Sequence, residues 1–123
     1  MKYMLVITGP IYGNQNALTG LLFARNLFSS GNNISSIFFY CNGVTNANVN
    51  YSPDHNEFNL LQAWIDLNKK FRVKLKICVS AALRRGVIFN TKKNVDKILV
   101  NFQFIGLIEI VQEMKNCDRI IQF

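Results

Sequence analysis

The chain has 123 residues, half of them hydrophobic, with 14 basic and 7 acidic side chains for a net charge of +7. That length suits one domain, residues 1–123, and the apolar content excludes a disordered or staple-dependent chain. No apolar run approaches the roughly 20 residues that cross a bilayer. The three cysteines, Cys41, Cys78 and Cys117, form neither a CxxC pair nor a disulfide framework.

In chain order, the opening Met1-Lys2-Tyr3-Met4-Leu5-Val6-Ile7 is too short for a signal peptide and lacks a small-residue cleavage site. It reads as a buried first strand, Tyr3 to Thr8, of a cytosolic protein. In a reducing compartment the sequons at Asn33 and Asn50 are chance matches. The loop Gly9-Pro10-Ile11-Tyr12-Gly13-Asn14 sits where a phosphate-binding loop would sit. It is neither GxGxxG nor the lysine-bearing P-loop, and its proline removes an amide donor, so a tight turn is the better reading.

Leu18, Leu21, Leu22 and Phe28 give a helix over Gln15 to Phe28, ended by Gly31. Ile34 to Tyr40 is a second strand ending at Cys41, and Asn42 to Asp54 a polar, Asn-rich loop. Phe58, Leu61, Trp64 and Ile65 mark a second helix over Glu57 to Lys70. Lys74 to Val79 is a third strand, Thr91 to Val100 a helix, and Phe102 to Ile105 a short fourth strand. Gly106 to Lys115 is the final helix and Arg119 to Gln122 the final strand. Strands alternating with helices predict an α/β fold, a mostly parallel sheet of about five strands with helices on both faces.

The third strand carries the most chemistry. Leu75, Ile77 and Val79 surround Cys78, and Ser80-Ala81-Ala82-Leu83-Arg84-Arg85-Gly86 follows. This predicts a strand that presents one sulfur, then a helical turn capped by Ser80 and stopped by Gly86. Helix N-terminal amides and the guanidinium groups of Arg84 and Arg85 are influences that lower a cysteine pKa and favour the nucleophilic thiolate. The plainer alternative is an inert buried thiol, the ordinary fate of a free cysteine. In open parallel sheets, chemistry gathers beyond the carboxyl ends of the strands. Cys41 and Cys78 lie at such ends. Cys117 precedes the last strand and is expected to be structural. Cys78 alone also has neighbouring cations, and is expected to be accessible and activated.

From Lys69 to Lys97 the chain holds Lys69, Lys70, Arg72, Lys74, Lys76, Arg84, Arg85, Lys92, Lys93 and Lys97 against Asp96 alone, a charge of +9 where the remainder is −2. Such a stretch attracts an acidic partner or nucleic acid, or is simply a solvated face. His55, the single histidine, lies in a polar loop. No cluster has metal-ligand spacing. What remains is a cysteine with no evident base, metal or cofactor, a site suited to persulfide transfer.

Five segments carry a resemblance: Thr8-Gly9-Pro10-x-Tyr12-Gly13, Phe38-Phe39-Tyr40, Gly43-Val44-x-Asn46-Ala47-Asn48, Cys78-Val79-x-Ala81-Ala82-Leu83-Arg84-Arg85-Gly86-Val87 and Cys117-Asp118-Arg119-x-x-Gln122-Phe123. Together they resemble the DsrE-like family of sulfur-relay proteins over nearly the whole chain, most weakly from Asn90 to Asn101. With no cofactor expected from the motifs, the resemblance implies a DsrE-like fold and puts the family's sulfur-carrying cysteine at Cys78. It implies a heterohexamer with homologous subunits TusB and TusC, receipt of persulfide sulfur from TusA, and delivery to TusE for 2-thiolation of the tRNA wobble uridine. No role falls on Cys41. The rival reading is a non-catalytic subunit whose basic face holds tRNA or an acidic protein.

Overall fold

The computed structural model describes residues 1–87 and 101–123. The expected helix Thr91 to Val100, with Lys92, Lys93 and Lys97, lies outside them. The described elements are β1 (Lys2–Ile7), α1 (Asn16–Ser29), β2 (Asn33–Phe39), a 3₁₀ helix (Cys41–Ala47), α2 (Leu60–Phe71), β3 (Lys74–Cys78), α3 (Val79–Arg84), β4 (Phe102–Ile105), α4 (Leu107–Met114) and β5 (Arg119–Gln122).

The strands form a five-stranded sheet in the order β4-β3-β2-β1-β5, and every pairing is parallel. All carboxyl ends therefore share one edge. The steps from β1 to β2 and from β2 to β3 run the same way across the sheet. Right-handed crossovers then place α1 and α2 on one face, and the two helices do pack together. The connection from β4 to β5 crosses the sheet in the opposite direction and brings α4 to the other face.

Alternation along the strands sorts the side chains between these faces. Ile7, Phe39, Leu75 and Ile77, all buried, belong to the α1/α2 side. Its centre is Trp64 of α2, fully buried, whose ring meets Phe39 edge-on at 5.2 Å. The α4 side is thinner. There Ile110 is the buried residue of α4, and a charged pair does part of the work. Lys76, 7% exposed, is salt-bridged to Glu113, which also accepts from the Ser36 hydroxyl at 3.3 Å.

Most boundaries shift by a residue, α2 starts at Leu60 rather than Glu57, and two further differences bear on the site. Cys41–Ala47, read as part of a polar loop, is a 3₁₀ helix with Gly43, Val44, Asn46 and Ala47 buried. The helix after β3 begins two residues early, so Cys78 itself takes the N-cap position, with no side-chain cap. Ser80 does not cap it: it is the second residue of α3 and is exposed. Gly86 ends the turn as expected, with φ +67°, a conformation that costs glycine little.

Candidate sulfur-carrying site

The site lies where β1, β2, β3 and β4 reach their carboxyl edge. Register pairs Phe39 with Ile77 and Cys78 with Ile105. Cys78 thus stands between the end of β2, which runs through Tyr40 into the 3₁₀ helix, and the end of β4, two residues before α4.

The 3₁₀ helix is fixed against the loop after β1. A Cβ on Gly43 would lie 1.8 Å from the Ile7 carbonyl oxygen, so this approach needs glycine. Asn46 is fully buried; its Nδ2 donates to the carbonyls of Gly9 (3.0 Å) and Gly43 (2.9 Å). Its Oδ1 accepts from Trp64 Nε1 at 3.1 Å. One amide thereby joins the β1 loop, the 3₁₀ helix and α2. Ile11 N–H donates to Thr45 Oγ1 at 3.0 Å, and that hydroxyl donates to Asn42 O at 2.8 Å. Thr8 anchors the other side, its N–H and hydroxyl both donating to the Phe123 carbonyl, at 2.7 and 2.9 Å.

Arg85 ties α3 to this frame. Its Nε donates to Asn42 Oδ1 at 2.8 Å and one terminal nitrogen to the Ala81 carbonyl at 3.2 Å. The residues after Cys78 are therefore held against the residue after Cys41. Arg84, in the last turn of α3, is exposed.

The expectation that Cys78 is accessible is corrected. Its exposure is 1%, whereas Cys41 and Cys117 are partly exposed. The strand end is capped by α3, whose Ala81 and Ala82 are also buried. Cys41 has φ +51°, an uncommon backbone for a non-glycine residue. Cys117 lies at the opposite edge, as its sequence position predicts, within 3.2 Å of the Ser35 hydroxyl and donating to the Glu113 carbonyl at 3.5 Å. His55 is exposed in the loop before α2. Among the described residues no cluster of His, Cys, Asp and Glu could hold a metal ion.

The basic stretch does not gather around Cys78. Lys76 is buried against Glu113. Lys69, Arg72 and Lys74 line an open cleft at the other end of β3, roughly 13 Å from the thiol at the usual rise of a strand. Arg84 and Arg85 are the described cations of that stretch at the thiol edge. Sequence reasoning missed Asn42 and the clasp at Asn46. Asn46 stood inside a quoted motif, but its neighbours Thr45 and Ala47 carry no signal that it is buried.

The DsrE/DsrF-like family model matches residues 1–123. The chain belongs to the DsrE/DsrF-like family. Among its relatives is a Sulfurtransferase TusD from Buchnera aphidicola subsp. Acyrthosiphon pisum (strain APS), 49% identical over 100% of both chains. Another is the Sulfurtransferase TusD of Proteus mirabilis (strain HI4320), 41% identical over 100% of this chain and 98% of the relative. The fold is shared with the ychN protein from E. coli, at TM-score 0.78 and 18% identity over 100% of both chains. The resemblance read from the five segments is thus borne out along the whole chain.

Proposed function

We propose that this chain is a sulfurtransferase subunit of a sulfur-relay complex, a single domain over residues 1–123 that carries sulfane sulfur on Cys78. The observation that carries the reading is the position of Cys78: the end of β3 at the carboxyl edge, at the start of α3, in a turn braced by the Arg85–Asn42 bond. The TusD relatives, sulfurtransferases by name, support the class of reaction.

In the reaction, the Cys78 thiolate attacks the outer sulfur of a donor persulfide. The donor leaves as a thiolate and Cys78 becomes a persulfide. An acceptor thiolate then attacks the outer sulfur of Cys78 and regenerates the starting thiolate. No oxidant or reductant is consumed. Because the folded chain covers the sulfur, this edge must open before a donor reaches it. Exposed apolar groups border this edge: Leu83 of α3, and Leu107 and Ile108 at the start of α4, at 38%, 47% and 77% exposure. They suit burial by companion subunits. TusB and TusC fill that role in this reading, with TusA as donor, TusE as acceptor, and tRNA wobble 2-thiouridine as the destination, in the cytoplasm.

The test is intact-mass analysis after incubation with a persulfide donor, with the modified residue mapped. One added sulfur atom on Cys78 is expected, lost in Cys78→Ser and retained in Cys41→Ser and Cys117→Ser. Undiminished loading of Cys78→Ser overturns the assignment.

A further inference from the structure

At the edge of the sheet away from Cys78, the end of α2 and the start of β3 and β4 enclose an open cleft of about 430 Å³. Lys69, Arg72 and Lys74 bring three positive charges to it, and the described lining includes no carboxylate. Glu113, which lines a separate cleft beside Lys74, is bound to Lys76 and Ser36, and Asp66 of α2 accepts from Gln62 at 2.9 Å.

The cleft is built rather than incidental. Asn68 Nδ2 donates to the Val73 carbonyl at 2.8 Å, and Asn101 Nδ2 donates to Asn68 Oδ1 at 2.9 Å, which pins α2, the turn and the approach to β4 together. Arg72 occupies the left-handed C-cap of α2 with φ 59°, its N–H bonded to the Asn68 carbonyl at 2.8 Å. Glycine or asparagine is the usual residue there, so an arginine is held at a cost that its side chain must offset. Lys69 also complements the dipole at the C-terminus of α2. Arg72 and Lys74 lie beyond the helix and have no such role.

We propose that this cleft binds the phosphate backbone of a structured RNA. Cations and amide side chains are what phosphate oxygens require. An acidic protein partner would need apolar or aromatic anchors at the centre of its contact, and the apolar lining residues here, Val73 and Leu75, are both buried. Stacking platforms for unpaired bases are absent from the described lining. The nearby ring of Phe71 is stacked on Phe28 at 4.2 Å and lies under Lys70. Binding is therefore to backbone, insensitive to sequence and strongly salt-dependent. It does not involve Cys78, which lies at the other end of β3.

The experiment titrates a fluorescent tRNA transcript with the full chain across a range of salt concentrations. Arg72→Gln with Lys74→Gln is compared with Lys115→Gln and Arg119→Gln, an equal loss of charge; Arg119 lies on β5, three strands away. The cleft pair is expected to weaken binding about tenfold or more at low salt and to flatten the log–log salt slope by about two. The β5-side pair should change affinity less than about threefold. Lys69→Gln, on the surface of α2, should reduce the slope by about one and serves if the cleft pair misfolds. Equal loss in both pairs, no tRNA binding by the parent chain, or equally tight binding of polyglutamate overturns the proposal. Sulfur loading on Cys78 should be unchanged in the cleft pair, and tRNA binding unchanged in Cys78→Ser, so this inference and the relay reading fail separately.

Discussion

Asn46 bonds three polar groups: the carbonyl of Gly9 in the β1 loop, that of Gly43 in the 3₁₀ helix, and the Trp64 indole N–H. Asn46→Ala removes all three bonds without removing the groups. A loss on the order of 3 kcal/mol is expected, since each stranded group costs about 1–3 kcal/mol and water can reach some of them after relaxation. Chemical denaturation should show it as a lower midpoint with an unchanged slope. Tyr12 offers a different reading at the same scale. Its phenol donates to the Glu57 carboxylate at 2.6 Å. That bond first, then the one with Tyr51, raises its pKa well above the ordinary value of 10.0. The neutral form is the one favoured, so the interaction is fully present below the ordinary phenol pKa and is lost as pH rises through the raised one. In an ultraviolet titration of the four tyrosines, Glu57→Gln should return one late-ionising phenol toward about pH 10. An unaltered titration would exclude the pairing in solution. The Cys78 assignment was legible from the residue and its flanks. Its burial was not, because exposure of a strand end depends on how the following turn folds back over it.

Among the described α-helices, α4 buries the fewest residues, and the Lys76–Glu113 pair compensates. The two partners are unequal: Lys76 is almost wholly buried, while the Glu113 side chain is 36% exposed. Glu113→Gln leaves a buried ammonium without its counter-charge. Lys76→Met leaves a carboxylate that water can still reach. Stripping a fully buried pair of one partner costs about 3–5 kcal/mol. With solvent screening at Glu113, about 1–3 kcal/mol is expected for Glu113→Gln and less for Lys76→Met. Thermal melting of the two variants gives the order, and the reverse order would refute the unequal burial. The sequence was most informative for elements with strong local signals. Phe102–Ile105 and Arg119–Gln122 were read to the residue, because compact β-prone runs are closed by Gly106 and opened after Asp118. The 3₁₀ helix Cys41–Ala47 escaped, since it has no apolar period of its own and is held by Gly43 against a β1 carbonyl and by Asn46. The Ser80 cap failed by two residues, where β3 passes directly into α3. The basic run misled for a geometric reason: neighbours in sequence become opposite ends of a strand.

For the molecule as a whole, one group of exposed apolar side chains lies beside the site. Leu107, Ile108 and Val111 are 47%, 77% and 50% exposed on α4, which fits a chain whose surface is completed by companions. By itself the chain is expected to self-associate. Leu107→Ser with Ile108→Glu should shift it toward monomer in light scattering without lowering its melting temperature. A parent chain that stays monomeric at high concentration would refute the partner surface. The α/β class, the parallel sheet and the family were all legible at this scale, because alternating strand and helix signals run from end to end. The separation of the charge into two edges was not, since it depends on strand direction.

The pairing of β5 with β1 has a consequence for synthesis. Phe123 closes on Thr8 across a separation of 115 residues, and β5 covers the side of β1 that β2 leaves open. As the chain leaves the ribosome, β1, β2 and β3 can assemble while that side stays bare until β5 emerges. A bare parallel edge is a template for any passing strand, and contacts so distant in sequence form slowly. The nascent chain is therefore most vulnerable until β5 has emerged, and Arg119–Phe123 acts as the latch on β1.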